Sequence, residues 1–109
     1  YFKKLIIFRP HNVYGPDMGT EHVIPELLKK FKRVKKNQKL KIEGTGNETR
    51  SFIYISDFCD AFLTLIKYGK HLNIYNIGTE NRVKISKIIE IIKKITKKKI
   101  TTSKIKLKK

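Results

Sequence analysis

Cysteine, tryptophan and acidic residues are scarce in this chain. Its 109 residues include one cysteine, Cys59, and no tryptophan. An internal disulfide is therefore excluded, and the reducing cytoplasm is the expected location. Cys59 lies on the apolar side of a predicted helix, where we expect a buried, unreactive thiol. No apolar run reaches the roughly 18 residues of a membrane-spanning helix, so we expect no membrane partner.

Nine acidic side chains stand against 26 lysines and arginines, which gives a formal net charge of +17. Such an excess is typical of proteins that bind nucleic acid. Only four of the basic residues are arginines, the forked cations best suited to bases and phosphates. We therefore expect no specific nucleic-acid partner. Two interpretations of the charge stay open: a compositional drift toward lysine, isoleucine and asparagine, or a small basic module that binds nucleic acid or another polyanion.

Several common catalytic and metal-binding patterns are absent from the chain. His11, His22 and His71 do not have the spacing of metal ligands, and no cysteine cluster accompanies them. Gly44 and Gly46 form a Gly-x-Gly pair, but the third glycine of a dinucleotide loop is missing and a strand is predicted to follow. We therefore assign no metal ligand and no catalytic residue.

The most informative stretch surrounds this glycine pair. An apolar stretch, Leu40–Glu43, leads into Gly44 and Gly46, and a second β-prone run follows at Ser51–Ile55. Glycine permits the positive φ that a tight turn requires, so the pattern predicts a hairpin turn. Arg50 stands at the exit of the turn. It is either an ordinary surface arginine or a planar cation that faces a phosphate pair.

The rest of the pattern predicts short strands and about three helices. Apolar residues recur at helical spacing within Glu26–Val34, Phe58–Tyr68 and Ile85–Ile95. Ser56 or Asp57 is placed to cap the second helix. The other predicted elements are a strand over Tyr1–Phe8 ended by Pro10, a loop over Asn12–Gly19, a strand over Leu72–Ile77, and a solvated, lysine-rich tail over Lys97–Lys109.

Three stretches, in the same order, resemble motifs of one family. Gly44–Asp57 is similar to the segment that holds the substrate diphosphate in the NAD-dependent epimerases and dehydratases of nucleotide-sugars, which are extended short-chain dehydrogenases. Arg9–Pro16 resembles the family's Arg-x-x-Asn-x-Tyr-Gly-Pro signature, and Tyr75–Gly78 resembles its Tyr-Asn-Ile-Gly strand end. The resemblance covers roughly residues 5–95.

This resemblance implies an α/β fold. The chain would be the C-terminal part of an extended Rossmann-type short-chain dehydrogenase, with one sheet strand and a small mixed substrate-binding region of short strands and about three helices. Residues 1–16 would end the dinucleotide-binding sheet and form the following loop. Residues 17–96 would bind the nucleotide-sugar, and residues 97–109 would form a basic tail without the Arg and Asp that the family usually carries there.

The resemblance also implies roles for individual residues. The expected substrate contacts are the Asn12 amide, His22, the backbone N–H of Val23 before a helix, the apolar side chain of Ile42, and Arg50 on the diphosphate. The expected structural residues are Arg9, Tyr14, Gly15, Gly44, Gly46 and Asp57.

The family's catalytic machinery is a Gly-x-x-Gly-x-x-Gly cofactor loop and a Tyr-x-x-x-Lys pair, and neither occurs in these 109 residues. The first strand also lacks upstream neighbours. We therefore expect a fragment that binds the nucleotide diphosphate-sugar and is inactive alone, with NAD bound by a missing N-terminal half. That half or a homodimer partner would be its protein partner. The identity of the sugar and nucleotide, and the choice among epimerisation, dehydration and decarboxylation, stay open.

Overall fold

The computed structural model describes residues 2–105, which contain three helices and seven strands of a mixed α/β fold. In chain order the elements are β1 (Ile7–Pro10), β2 (Asn12–Tyr14), α1 (Val23–Arg33), β3 (Leu40–Glu43), β4 (Thr49–Tyr54), α2 (Ile55–Tyr68), β5 (Ile74–Ile77), β6 (Arg82–Lys84), α3 (Ile85–Thr96) and β7 (Thr102–Ile105). No helix among the described residues is long and apolar enough to cross a membrane.

The chain divides into two compact units. Unit 1 contains the residues up to Pro16 together with Ser51–Arg82. Unit 2 contains Asp17–Arg50 together with the residues from Val83 onward.

Unit 1 is built on parallel strand pairs covered by α2. Strand β1 pairs with β5, with Ile7 opposite Ile74, and β2 pairs with β4, with Asn12 opposite Phe52. The ring of Phe8 packs edge-on against Phe62 of α2, with ring centroids 5.3 Å apart. Aromatic packing of this kind fixes the helix over the strands.

Unit 2 has the more complete hydrophobic core. Helices α1 and α3 contact each other, and β3 pairs in parallel with β7. The buried side chains are Leu27 and Phe31 from α1, Leu40 and Ile42 from β3, and Ile85, Ile88, Ile89 and Ile92 from α3. The spacing of three and four residues is the pattern from which the helices were predicted. Leu40 and Ile42 are two residues apart and so lie on one face of β3.

The predicted hairpin is wrong. Strand β3 does not pair with β4, because it takes β7 as its partner, with Leu40 opposite Thr102 and Ile42 opposite Lys104. The tail was predicted to be solvated, and Thr102–Ile105 is mostly exposed, but it forms strand β7, which was not predicted. Strand β3 supplies the backbone partner of β7, which the local sequence pattern could not reveal. Residues 106–109 lie outside the described residues.

The first strand is displaced from its predicted position. It runs over Ile7–Pro10, and Asn12–Tyr14 forms a second strand where a loop was predicted. Pro10 is tolerated because residues on either side of it donate: the Ile7 N–H to Asn73 O at 3.1 Å and the His11 N–H to Ile77 O at 2.8 Å. Alternate residues donate in a parallel ladder, so the missing N–H of Pro10 faces away from β5. Tyr1 lies outside the described residues.

Helix α2 differs from its prediction at the N-terminus. It begins at Ile55, with Tyr54 as the capping position and no side-chain cap. Neither Ser56 nor Asp57 therefore caps the helix. Asp57 lies in the first turn, where a carboxylate interacts favourably with the helix dipole. Cys59 was expected to be buried but is exposed. The other residues of α2 also stay at least partly exposed.

Candidate functional site

Unit 2 contains a pocket of about 180 Å³ at the start of α1. It is lined by residues of α1, β3, β4, α3 and the loop between β3 and β4: Val23, Glu26, Leu27, Lys30, Ile42, Glu43, Glu48, Arg50 and Ile85. Three of the residues predicted to contact substrate, Val23, Ile42 and Arg50, therefore meet here. They belong to three consecutive elements, α1, β3 and β4.

One wall of the pocket is apolar. Leu27, Ile42 and Ile85 are each at least nine-tenths buried, and all three line the pocket. Because the core behind them fixes their positions, this wall is a preformed surface for a flat apolar group such as a nucleobase.

The N-terminus of α1 forms a second side of the pocket. Within the helix, hydrogen bonding begins with the Glu26 N–H, which donates to His22 O at 3.0 Å. The N–H groups of Val23 and Ile24 precede this ladder, and a helix N-terminus of this kind favours an anion. His22 itself is exposed, makes no side-chain cap and does not line the pocket.

Arg50 supplies the guanidinium of the pocket. It lies near the start of β4, and its Nη1 donates to Thr49 O at 3.0 Å. That bond uses one of the five guanidinium N–H donors, so the fork keeps donors for a ligand. Lys30 adds a second cation to the pocket. Its Nζ donates to Lys41 O at 3.4 Å.

The carboxylate of Glu48 closes the loop between β3 and β4. It accepts hydrogen bonds from the N–H groups of Thr45 and Gly46, at 2.8 and 2.9 Å, and from Thr45 Oγ1 at 3.2 Å. These contacts require the turn made by Gly44 and Gly46, both with φ of +81°. A side chain at Gly44 would collide with the Glu48 carboxylate. The N–H of Thr45, followed by the N–H of Glu48 itself, lowers the pKa of Glu48.

This loop does not fit the pyrophosphate of NAD. Its Thr45 and Gly46 N–H groups are already bound to a carboxylate, and β4, not a helix, follows. Backbone bonds also tie it to α3: Ile85 N donates to Glu48 O and Ser86 N to Gly46 O, both at 2.9 Å. The loop is therefore a rigid support for the pocket. Sequence reasoning missed Glu48, although a carboxylate two residues after a Gly-x-Gly turn was a visible signal.

Asn12 lies in unit 1 and is not among the residues that line the pocket. Its Nδ2 donates to Ser51 O at 3.1 Å, which links β2 to β4. Nearby, the Tyr14 ring packs edge-on against Phe52 and Tyr54, at centroid distances of 6.2 and 5.2 Å.

Two more residues with expected structural roles belong to unit 1. Gly15 permits close approach of Ile55, whose Cγ2 would lie 2.5 Å from a Cβ at that position. Arg9 is exposed on β1, opposite Asn76.

His11 is a structural residue of unit 1 that sequence reasoning missed. Its Nδ1 accepts the N–H of Thr79 at 3.2 Å, and Thr79 Oγ1 donates to Phe52 O at 2.9 Å. The imidazole occupies the space that a side chain at Gly78 would need. The Tyr-Asn-Ile-Gly end of β5 thus requires glycine at its last position because the histidine ring packs there. Within residues 2–105, no group of three or more His, Cys, Asp or Glu residues could hold a metal ion.

Comparison with known proteins bears out the resemblance. The sequence matches the NAD dependent epimerase/dehydratase family over residues 2–78. The chain belongs to this family. It is 41% identical over 93 residues to the dTDP-D-glucose 4,6-dehydratase of Bos taurus, and 40% identical over 93 residues to that of Homo sapiens. These alignments cover 82% of this chain but 25% and 26% of the relatives.

Solved structures confirm the α/β fold class as part of Rossmann-type enzymes of this family. The dTDP-glucose 4,6-dehydratase of Bacillus anthracis in complex with NAD superposes with a TM-score of 0.80 at 26% identity, covering 95% of this chain and 33% of that structure. UDP-glucuronic acid 4-epimerase of Bacillus cereus with NAD gives 0.80 at 29% identity, covering 93% and 33%. The chain thus spans about a quarter of the curated relatives and a third of these structures.

Proposed function

We propose that this chain is the nucleotide-sugar-binding part of an NAD-dependent dehydratase or epimerase. The observation that carries the proposal is the meeting of Val23, Ile42 and Arg50 in one pocket of unit 2. The relatives named above are dehydratases and epimerases of dTDP- and UDP-sugars. A nucleoside diphosphate-sugar is therefore the class of ligand that both the pocket and the family favour.

Each side of the pocket suits one part of such a ligand. The base would lie on Ile42 and its apolar neighbours, while Arg50 and the first N–H groups of α1 would hold the diphosphate. Glu26 and Glu43 also line the pocket. Their carboxylates would accept hydrogen bonds from sugar hydroxyls and would disfavour a ligand that is only an anion. The predicted substrate contacts of Asn12 and His22 remain part of the proposal, although neither residue lines this pocket.

NAD and the catalytic residues would come from elsewhere in the longer protein. The glycine loop of this chain does not fit NAD, and the chain contains no Tyr-x-x-x-Lys pair. These 109 residues would therefore be inactive alone. They would act together with the remainder of the enzyme, and the proposed location is the cytoplasm. A second copy of the enzyme is the other partner that this proposal admits.

Calorimetric titration with dTDP-glucose tests the proposed role of Arg50. We expect Arg50→Lys to weaken binding by about 1–3 kcal/mol, because a forked contact becomes a point charge. Arg50→Ala should weaken binding at least as much. Arg82→Ala is the control, since it removes the same charge from an exposed residue outside the pocket. Equal affinity of the Arg50 variants and wild type would contradict the proposal.

A further inference from the structure

The positive charge of the chain is concentrated in one unit. Among the described residues, unit 2 carries 17 lysines and arginines against six acidic residues, a formal charge of +11. Unit 1 carries six against three, a charge of +3, in a segment of similar length. A uniform compositional drift toward lysine would charge both units in proportion to their length. The excess in unit 2 therefore calls for a local explanation.

Two lysine clusters that are distant in sequence converge at one end of unit 2. Lys98, just after α3, donates through Nζ to Phe31 O in the last turns of α1, at 2.8 Å. The Leu40 N–H donates to Thr101 O at 2.9 Å, so the two segments that follow α1 and α3 run side by side. The first segment carries Lys35, Lys36 and Lys39, and the second carries Lys97, Lys98 and Lys99. We call these six residues, with Lys93 and Lys94, the basic end.

The basic end contains a shallow groove of about 630 Å³. Five lysines line it, namely Lys93, Lys94, Lys97, Lys98 and Lys99, together with Ile100, Thr101 and one carboxylate, Glu90. That carboxylate lies 3.5 Å from Lys87 in the one ion pair found within residues 2–105. Acidic side chains of the described chain therefore leave the groove lysines largely uncompensated.

We propose that the basic end binds the phosphodiester backbone of nucleic acid without sequence preference. Lysines supply mobile point charges that neutralise phosphates, and such contacts carry no sequence information. The groove contains no aromatic side chain and no arginine on which bases could stack or be read. Helix α3 buries Ile85, Ile88, Ile89 and Ile92 in the core of unit 2, and its exposed apolar residues, Ile91 and Ile95, do not line the groove, which is therefore a charged surface without the apolar face that inserts into a lipid surface.

Fluorescence anisotropy with labelled short DNA duplexes tests this proposal on the full chain. The groove variant is Lys93→Gln/Lys97→Gln/Lys99→Gln. The matched control is Lys3→Gln/Lys70→Gln/Lys84→Gln, which removes the same charge from exposed residues outside the groove. Point substitutions are used because deletion of residues 97–109 would also remove β7. Circular dichroism confirms that both variants fold, and Lys98 is kept because it holds α1.

Wild type should bind duplexes of unrelated sequence equally, with affinity that falls steeply with salt. In the groove variant, the slope of log K against log salt should be shallower by roughly 2–3, since each phosphate contact contributes about 0.9. Affinity at low salt should drop about tenfold or more, and a Lys→Arg triple should restore it. The control variant should keep the wild-type slope.

Three results would overturn the proposal. Equal losses in the groove and control variants would show that net charge alone attracts DNA. Salt-resistant binding that selects one sequence would show a base-reading site elsewhere. Binding to phosphatidylserine-containing vesicles without binding to DNA would assign the basic end to a lipid surface.

Discussion

Glu48 lines the pocket of unit 2 and also holds the loop between β3 and β4 closed. Its oxygens satisfy the N–H groups of Thr45 and Gly46, and its own carbonyl accepts from Ile85 at the start of α3. Arg50 follows two residues later. The direction of β4, and with it the position of the guanidinium, therefore depends on this closed loop.

The lowered pKa of Glu48 predicts a pH-dependent contribution to stability. A carboxyl group whose pKa is lower in the folded state stabilises the fold fully above its unfolded-state pKa, about 4.3 for glutamate. The contribution is lost as pH falls through the lower, folded-state pKa. Urea unfolding of wild type and Glu48→Gln should therefore differ near neutral pH, with wild type more stable, and the difference should vanish in acid.

Glu43→Gln is the control for this pH dependence. Glu43 lines the same pocket, but Glu48 is the residue that binds the loop N–H groups. The two variants should therefore have different pH profiles. A Glu48→Gln difference that persists unchanged into acid, or an identical profile for Glu43→Gln, would contradict the assignment of Glu48 as the residue that fixes the loop.

At the scale of elements, helices were predictable and strand partners were not. The spacing of Ile85, Ile88, Ile89 and Ile92 is a local property, and α3 lies where that spacing predicted it. The pairing of β3 with β7 depends on residues at opposite ends of unit 2. A local turn rule therefore produced a hairpin that does not exist, and β6 was not predicted at all.

Some residues of the candidate site were predictable from the sequence and others were not. Val23, Ile42 and Arg50 were predicted because their neighbours resemble family motifs, and the fold brings them into one pocket. Glu48 and His11 were missed because their roles depend on backbone N–H groups whose direction the sequence does not display. Side-chain bonds to backbone are set by local dihedral angles, which short motifs specify weakly.

A substitution in strand β7 tests its pairing with β3. Ser103→Pro removes a backbone donor from the middle of a four-residue strand and should detach β7 from β3. The N–H groups of Leu40 and Gly44 donate to Thr101 O and Ile105 O. Hydrogen exchange at these two amides should therefore accelerate severalfold in the variant.

Ser103→Thr keeps the N–H and favours extended backbone, so it should retain the protection of both amides. Unchanged exchange in Ser103→Pro would show that β7 contributes nothing to the stability of β3. The solvated tail expected from the sequence would then be the better description of this segment.

Over the whole molecule, burial is distributed unevenly between the units. Eight of the ten buried core residues belong to unit 2, and only Ile53 and Ile77 belong to unit 1. Unit 1 instead contains 11 of the 15 exposed large hydrophobic residues, including Ile74 at 53% and Leu63 at 63% exposure. Parallel strands are normally covered on both faces. Unit 1 therefore has the surface of a structure that packs against further protein.

This asymmetry predicts that the isolated chain is only partly stable. Amides in the core of unit 2 should exchange slowly, whereas those of β1, β5 and α2 should exchange fast, because few buried contacts hold them. The chain should also self-associate in light-scattering measurements, since large apolar patches promote association. A monomer that unfolds in one cooperative step, with uniform protection, would contradict this prediction.

A chimera identifies what covers unit 1. In the chimera, this chain replaces the quarter of the bovine dTDP-D-glucose 4,6-dehydratase that it matches. If the remainder of such an enzyme is the natural partner, the exchange of β1, β5 and α2 amides should slow in the chimera and self-association should fall.

The pocket variants of the chimera then separate packing from binding. Arg50→Ala should weaken dTDP-glucose binding while the protection of the unit 1 amides stays high. A chimera in which unit 1 exchanges as fast as in the isolated chain would show that its exposed face requires a different partner.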